Sequence, residues 1–323
     1  MKKFCIGLTL AAATLVSASA MAQDWPARTV TILVPYPAGG VADAVARAVA
    51  TQASTELKQS VVVENRTGAS GRIALDQLIR AEPDGYTLAL AVPALLSLLP
   101  ITDPKYADLD KKYTPITIAV ETYFGFAINP QKTQAKSFQD LMTSAKAKSG
   151  QLTYSSAGAG TSYHFWSEAI LKEAGVSALH VPYRGEAPAT TDLLAGIVDF
   201  TLVTGAGKGL ADDGKIKILA VSAQNAWDIY PGAPSLNEVG VKQAVAAGWL
   251  GFMGPPGMSK ALTAKVNAAF LSALKRPEVL NMLATQGYTV VASAPEAMPA
   301  AVVKEQVIFR DLLASGRVKL EQQ

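Results

Sequence analysis

Two loops of this chain are composed to hold an anion on main-chain amides. The first, Tyr36-Pro37-Ala38-Gly39-Gly40-Val41, follows the β-branched run Val30–Val34 and precedes a stretch where Val41, Val45 and Val49 recur every four residues. That is the pattern of strand, turn and helix. The second, Ser155-Ser156-Ala157-Gly158-Ala159-Gly160-Thr161, has the same setting, with His164 in the first turn of the helix that follows. Glycine lets a ligand oxygen come close to the backbone, and a helix starting just after such a loop aims free N–H groups and the positive end of its dipole outward. Taken singly, each loop is equally an ordinary βα turn whose glycines only fit the chain. Taken together, in two separate expected domains, they suit a carboxylate clamped in one cleft, because amides donate without a buried cation.

Side chains suited to other chemistry are few. His164 and His180 are the only histidines, so a Ser-His-Asp hydrolase or a histidine-rich metal site would have to use one of them. No G-x-S-x-G elbow occurs. Both histidines read as packed structural groups, His164 beside the second loop and His180 inside a strand. Gly205-Ala-Gly-Lys-Gly209 follows a strand, but it lacks the spacing of a dinucleotide fingerprint or a P-loop. Asp43 and Arg47, four residues apart, can pair on the helix surface, while Asp43 equally suits the helix start and the shaping of the loop. No catalytic site, metal or cofactor is expected.

The 323-residue chain opens with Lys2 and Lys3, an apolar segment to about Val16, and Ala20-Met21-Ala22. Residues 1–22 therefore read as a secretory signal peptide. Its apolar part is too short to span a bilayer, so an exported, periplasmic protein cleaved near Ala22 is expected. Cleavage removes Cys5, the only cysteine, and lowers the basic residues from 29 to 27 against 26 acidic ones. Disulfide and thiolate chemistry drop out, and so does the positive field that nucleic acid or an anionic membrane requires. Half of the residues are hydrophobic, enough to build cores in two domains of ordinary size.

Stepwise along the chain, strands alternate with helices, which implies α/β layers of mostly parallel sheet flanked by helices. After the first loop come Ser60–Asn65 with a Gly/Ser loop, and Tyr86–Val92 as a central strand. Strands at Tyr113–Val120 and Phe124–Asn129 lead to a polar helix at Ser137–Lys148 and a new set of strand-loop-helix units. The chain returns at Trp249–Pro256, and helices at Ala261–Leu274, Glu278–Gln286 and Pro295–Ser315 finish the first domain. The expected division is 23–125 and 251–323 in one lobe, and 126–250 in the other.

Several motifs carry a resemblance. Tyr36–Asp43, Val62-Val-Glu-Asn-Arg66 with Gly68 and Gly71, Pro83-Asp-Gly-Tyr-Thr-Leu88, Tyr154–Gly160 with His164, and Val181-Pro-Tyr-Arg-Gly185 with Asp192-Leu-Leu-Ala-Gly196 resemble the periplasmic solute-binding proteins of tripartite tricarboxylate transporters, the Bug family. The resemblance runs from Trp25 to the C-terminus. It implies a two-lobed, Venus-flytrap receptor, monomeric, that captures a small organic carboxylate and delivers it to a two-component membrane permease. Carried over by position, the ligand contacts are Tyr36, Pro37, Ala38, Gly39, Gly40, Val41 and Asp43 from the first loop, and Ser155, Ala157, Gly158, Gly160, Thr161 and His164 from the second. Val92 and Pro93, and Tyr183 and Gly185, complete the set. An exported hydrolase or isomerase using the same cleft, or a ligand sensor for a signalling partner, are the alternative functions.

The chain departs from the family pattern in two places. Ala91-Val-Pro-Ala-Leu-Leu-Ser97 is mostly apolar where family members often have a polar loop, and Leu202-Val203-Thr204 stands where Phe-Asp is common. An apolar pocket segment of this kind suits an aliphatic or aromatic carboxylate better than citrate.

Overall fold

The computed structural model describes residues 25–39, 41–147, 151–223, 225, 227–242, 244 and 248–319. The expected signal peptide with Cys5, and Gly40 of the first loop, lie outside the described residues.

Val30, Ile32, Leu33 and Val34 are wholly buried, as an interior strand covered on both faces must be. This strand is β1 (Val30–Val34), and α1 (Val41–Leu57), β2 (Val61–Asn65), α2 (Arg72–Ile79) and β3 (Thr87–Ala91) follow it. A π-helical turn at Ala94–Leu98 leads to the short α3 (Leu99–Thr102), then to β4 (Thr114–Thr122). Next come β5 (Gly125–Ile128), α4 (Phe138–Ala147), β6 (Thr153–Ser156), α5 (Ser162–Glu173), β7 (Leu179–Pro182), α6 (Glu186–Leu194), β8 (Phe200–Val203), α7 (Lys208–Asp212) and β9 (Lys217–Val221). The last elements are β10 (Gly248–Gly254), α8 (Lys260–Leu274), α9 (Pro277–Thr285), β11 (Tyr288–Val290) and α10 (Ala297–Ala314). Helix starts carry their usual signals: Ser259 accepts from the Leu262 amide at the head of α8, and Pro277 occupies the first turn of α9.

Two sheets result. One has the order β11-β4-β10-β3-β1-β2, the other β7-β6-β8-β5-β9. In the first, β1 lies parallel to β2 and β3, while β10 runs antiparallel to β3 and β4. In the second, β6 lies parallel to β7 and β8, and β5 is antiparallel to β8 and β9. The parallel strands matter most for function, because ligands of α/β sheets sit beyond their carboxyl ends. Those ends deliver Tyr36 after β1, Val92 after β3, Ala157 after β6 and Thr204 after β8.

Each sheet has its own core. Ile32, Phe252, Phe270 and Leu75 belong to the first; Phe126, Tyr154, Phe165 and Phe200 belong to the second, where the rings of Phe126 and Phe200 stack at 4.2 Å. The chain crosses between sheets through Tyr123 and Phe124, and again between β9 and β10. Helix α10 touches both: Met298 and Val302 pack in the first core, Phe309 and Leu312 in the second. The C-terminal segment, expected wholly in the first lobe, therefore divides its apolar face, because its residues recur at helical spacing over a length that outruns one core. At one more point the halves meet closely: Gly205, just after β8, lies against Gly287, just before β11, so that a Cβ on either would overlap the other's backbone.

Candidate functional site

The first glycine loop is braced from the helix it introduces. Asp43, one turn into α1 and buried, accepts from the Gly39 amide at 2.9 Å, from Arg47 Nε at 2.9 Å and from Asn65 Nδ2 at 2.9 Å. Asn65 Nδ2 also donates to the Tyr36 carbonyl at 3.0 Å. The Arg47 hydrogen bond, with those from Gly39 and Asn65, outweighs burial and holds the Asp43 carboxyl down at about 2. The side chain is thus committed to the loop. Gly39 adopts φ +83°, a backbone that side chains other than glycine resist, and Pro37 and Ala38 stand exposed at the tip.

The second loop repeats the device with a neutral group. His164, buried in the first turn of α5, accepts from the Gly160 amide on Nδ1 at 3.1 Å. The residue four positions after a loop glycine thus receives that glycine's N–H in both loops. Thr161 donates from Oγ1 to the Gly158 carbonyl at 2.7 Å, and Ser156 Oγ accepts from the Gly158 amide at 3.1 Å. The ring of His180 stacks on that of His164 at 3.8 Å and bonds Ser156 Oγ through Nε2 at 2.7 Å. Burial, with the neighbouring ring for His164, lowers both imidazoles to about 4. Both are neutral at ordinary pH, which leaves His164 Nδ1 free to accept from Gly160. Gly158, at φ +137°, packs against the Tyr183 carbonyl.

Between the sheets lies a cavity of about 150 Å³ lined by Tyr36, Val92, Pro93, Ser162, Tyr163, Thr204, Trp249 and Tyr288 among others. A larger one of about 550 Å³ shares Tyr163, Thr204 and Tyr288 with it and extends along Glu186, Thr190, Thr191, Leu194, Leu210 and Gln286. Among the described residues, no lysine or arginine lines either. Of the expected residues, Tyr36, Val92 and Pro93 face the smaller cavity, whereas the other described glycine-loop residues line neither of the two. Three expected side chains are turned to other partners: the Ser155 hydroxyl donates to the Ala189 carbonyl of α6 at 3.3 Å, the Tyr183 hydroxyl donates to Asp192 at 2.5 Å, and Asp43 braces its loop. Gly185, at φ +126°, is the turn that starts α6. Val41 opens α1. Leu95 and Leu96 of the apolar segment are buried in the first core, leaving Val92 to Ala94 at the cavity.

Sequence reasoning missed Tyr163, Glu186, Thr204 and Tyr288. Glu186 accepts from the Tyr163 hydroxyl at 2.5 Å, from the Thr204 amide at 2.9 Å and from Thr204 Oγ1 at 2.9 Å. Burial first, then the charge of Glu186, raises the phenols of Tyr163 and Tyr288, the latter to about 12. No shared spacing announces these four residues. Their elements are far apart in the chain.

Comparison with known proteins supplies the family. Residues 45–308 match the family model described as tripartite tricarboxylate transporter family receptor. The chain belongs to that family. BugT of Bordetella pertussis is 30% identical over 90% of this chain and 90% of its own. A protein of R. palustris solved with adipate shares 27% identity and a TM-score of 0.76, covering 91% of this chain and 99% of that one. MatC of Rhodopseudomonas palustris, solved with bound malate, shares 27% identity and a TM-score of 0.72, covering 89% and 99%. The family places this chain among substrate-binding receptors rather than enzymes, with the two-lobed fold of periplasmic binding proteins.

Proposed function

We propose that this receptor captures a small organic carboxylate in the cleft between its two sheets, in the periplasm, and hands it to a two-component membrane permease. The observation that carries the reading is the pair of braced glycine loops at the carboxyl ends of β1 and β6, in a family whose relatives hold adipate and malate. Bracing orients the loops before the ligand arrives, so less ordering is left for binding to offset. The division into lobes that goes with this reading runs through Tyr123–Phe124 and between β9 and β10, with α10 spanning both.

A thermal-shift screen of mono-, di- and tricarboxylates tests the capture step. A ligand at 100 times its dissociation constant adds about 2.7 kcal/mol of stability, and no shift with any carboxylate would sink the reading. Gly158→Val, which places a branched side chain against the Tyr183 carbonyl at positive φ, should fold and lose that shift. Delivery is tested separately, by uptake of the identified ligand in cells with and without the candidate permease.

A further inference from the structure

Two elements of the smaller cavity's wall are tied to one buried carboxyl that is not part of that wall. Trp249 of β10 lines the cavity, is itself buried, and donates from Nε1 to Glu305 Oε1 at 3.0 Å. Val92, Pro93 and Ala94 line it as well, and they lead into the π-helical turn whose Ser97 hydroxyl donates to Glu305 Oε2. The next residue of α10, Gln306, donates from Nε2 to the Leu96 carbonyl of the same turn at 3.3 Å. Helix α10 thus grips the turn twice and the indole once. Glu305 lines neither cavity, so it reaches a ligand only through these partners.

Packing alone does not account for a carboxyl at this position. It lies on α10 between Val302 of the first core and Phe309 of the second, where a leucine would bury without the desolvation that raises the Glu305 carboxyl. What a leucine lacks is an acceptor for the indole N–H and the serine hydroxyl, and a hydrogen bond fixes direction as well as distance. π-Helical turns, moreover, are frequent at functional sites.

We infer that Glu305 is a positioning residue of the ligand site: through Trp249 and the Ser97 turn it sets the apolar wall, Trp249 with Val92 and Pro93, on which the body of the ligand packs. The inference rests on the carboxylate reading and deepens it to the choice among carboxylates. Tyr36 of the first loop and Ser162, next after Thr161 of the second, line the same cavity, so the wall adjoins both loops. The loops then hold the head, and the wall weighs the body.

Calorimetry on the mature chain with propionate and caproate is the test, because the two differ only in the length of the body. Glu305→Leu should weaken caproate about tenfold, what about two methylenes losing their contact amount to, and leave propionate within about a factor of two. Glu305→Gln, whose amide oxygen can accept from the indole while its amide nitrogen donates to Ser97, should keep the wild-type ratio of the two affinities. In Trp249→Phe, which retains a ring but has no N–H to donate, adding Glu305→Leu should cost caproate less than it does in the wild type. Should Glu305→Leu fail to fold by circular dichroism, Trp249→Phe decides alone, and a wild-type ratio there overturns the inference. A merely structural glutamate would move melting temperature and both affinities together. Equal loss of propionate and caproate, or loss of neither, therefore overturns the inference and leaves carboxylate capture standing. A wild type that binds propionate as tightly as caproate, or binds neither, overturns it too, and only a blank in the broader carboxylate screen takes the parent reading with it.

Discussion

Asp43 and His164 do the same work, one as an anion and the other as a neutral ring, and pH separates them. Asp43→Ala removes a charged acceptor from the Gly39 amide, and a hydrogen bond to a charged group is worth about 1.5–3 kcal/mol; ligand affinity should fall about tenfold or more, and the melting temperature should fall as well, because Arg47 and Asn65 lose the same acceptor. His164 and His180 are depressed from 6.5 to about 4 in the fold, so the unfolded chain takes up protons first as pH drops. Their stability contribution is whole above pH 6.5 and is lost on acidification towards pH 4. Melting temperature should fall across that window, less steeply in His164→Asn, whose amide oxygen can still accept from Gly160. A flat profile in the wild type would refute the assignment. Glu305 has the opposite sign. It is buried on α10, accepts from Ser97 and from Trp249 Nε1, and burial raises it from 4.5 to about 7. The protonated form is favoured in the fold, so its contribution holds below pH 4.5 and is lost as pH rises through 7. Glu305→Gln should therefore stabilise the protein at pH 8 by on the order of 2 kcal/mol and change little at pH 5; equal melting curves at pH 8 would count against it.

Helices and strands were legible where period and punctuation agree. The pattern at 261–274 is α8 to within one residue, and the helix expected at 278–286 is α9, set one residue earlier at Pro277–Thr285. The glycine loops were legible too, and so, in principle, were their braces: Gly39 with Asp43, and Gly160 with His164, both stand at i, i+4 across a helix start. What could not be read was the pairing of α10 with two cores, since its apolar residues look the same whichever sheet they meet. Glu186 was equally opaque, because its partners, Tyr163 on α5 and Thr204 after β8, are brought together only by the second sheet. The bridging role of α10 has a direct test. Phe309, wholly enclosed with Phe165 at 4.5 Å and Trp166 at 5.7 Å, should cost about 3–5 kcal/mol on truncation to alanine. If α10 couples the two cores, unfolding of Phe309→Ala stays a single transition monitored by fluorescence and by circular dichroism; two separated transitions would show cores that melt apart.

At the scale of the whole molecule, the proposed capture between two sheets requires that they approach. The Gly205–Gly287 contact is a place where that approach is limited by backbone itself, and Gly205 has an ordinary φ that alanine adopts without strain. Gly205→Ala should hold the halves apart, leaving melting nearly unchanged but weakening ligand by about tenfold, the equivalent of 1.4 kcal/mol. Small-angle scattering should show compaction with ligand in the wild type and none in the variant, and compaction in both would remove this contact from the closing motion. The absence of lysine and arginine among the described residues of both cavity walls has a kinetic side as well. A receptor that draws anions with surface cations binds fast in dilute medium and slowly in brine, because the attracting field decays over the Debye length. On the proposed reading, in which neutral amides are the donors, the association rate should stay within about a factor of two between about 0.01 M and 1 M salt, as read by stopped-flow fluorescence of Trp249. A cell whose surroundings swing from fresh to saline would then keep the same rate of uptake from its first encounter with the solute.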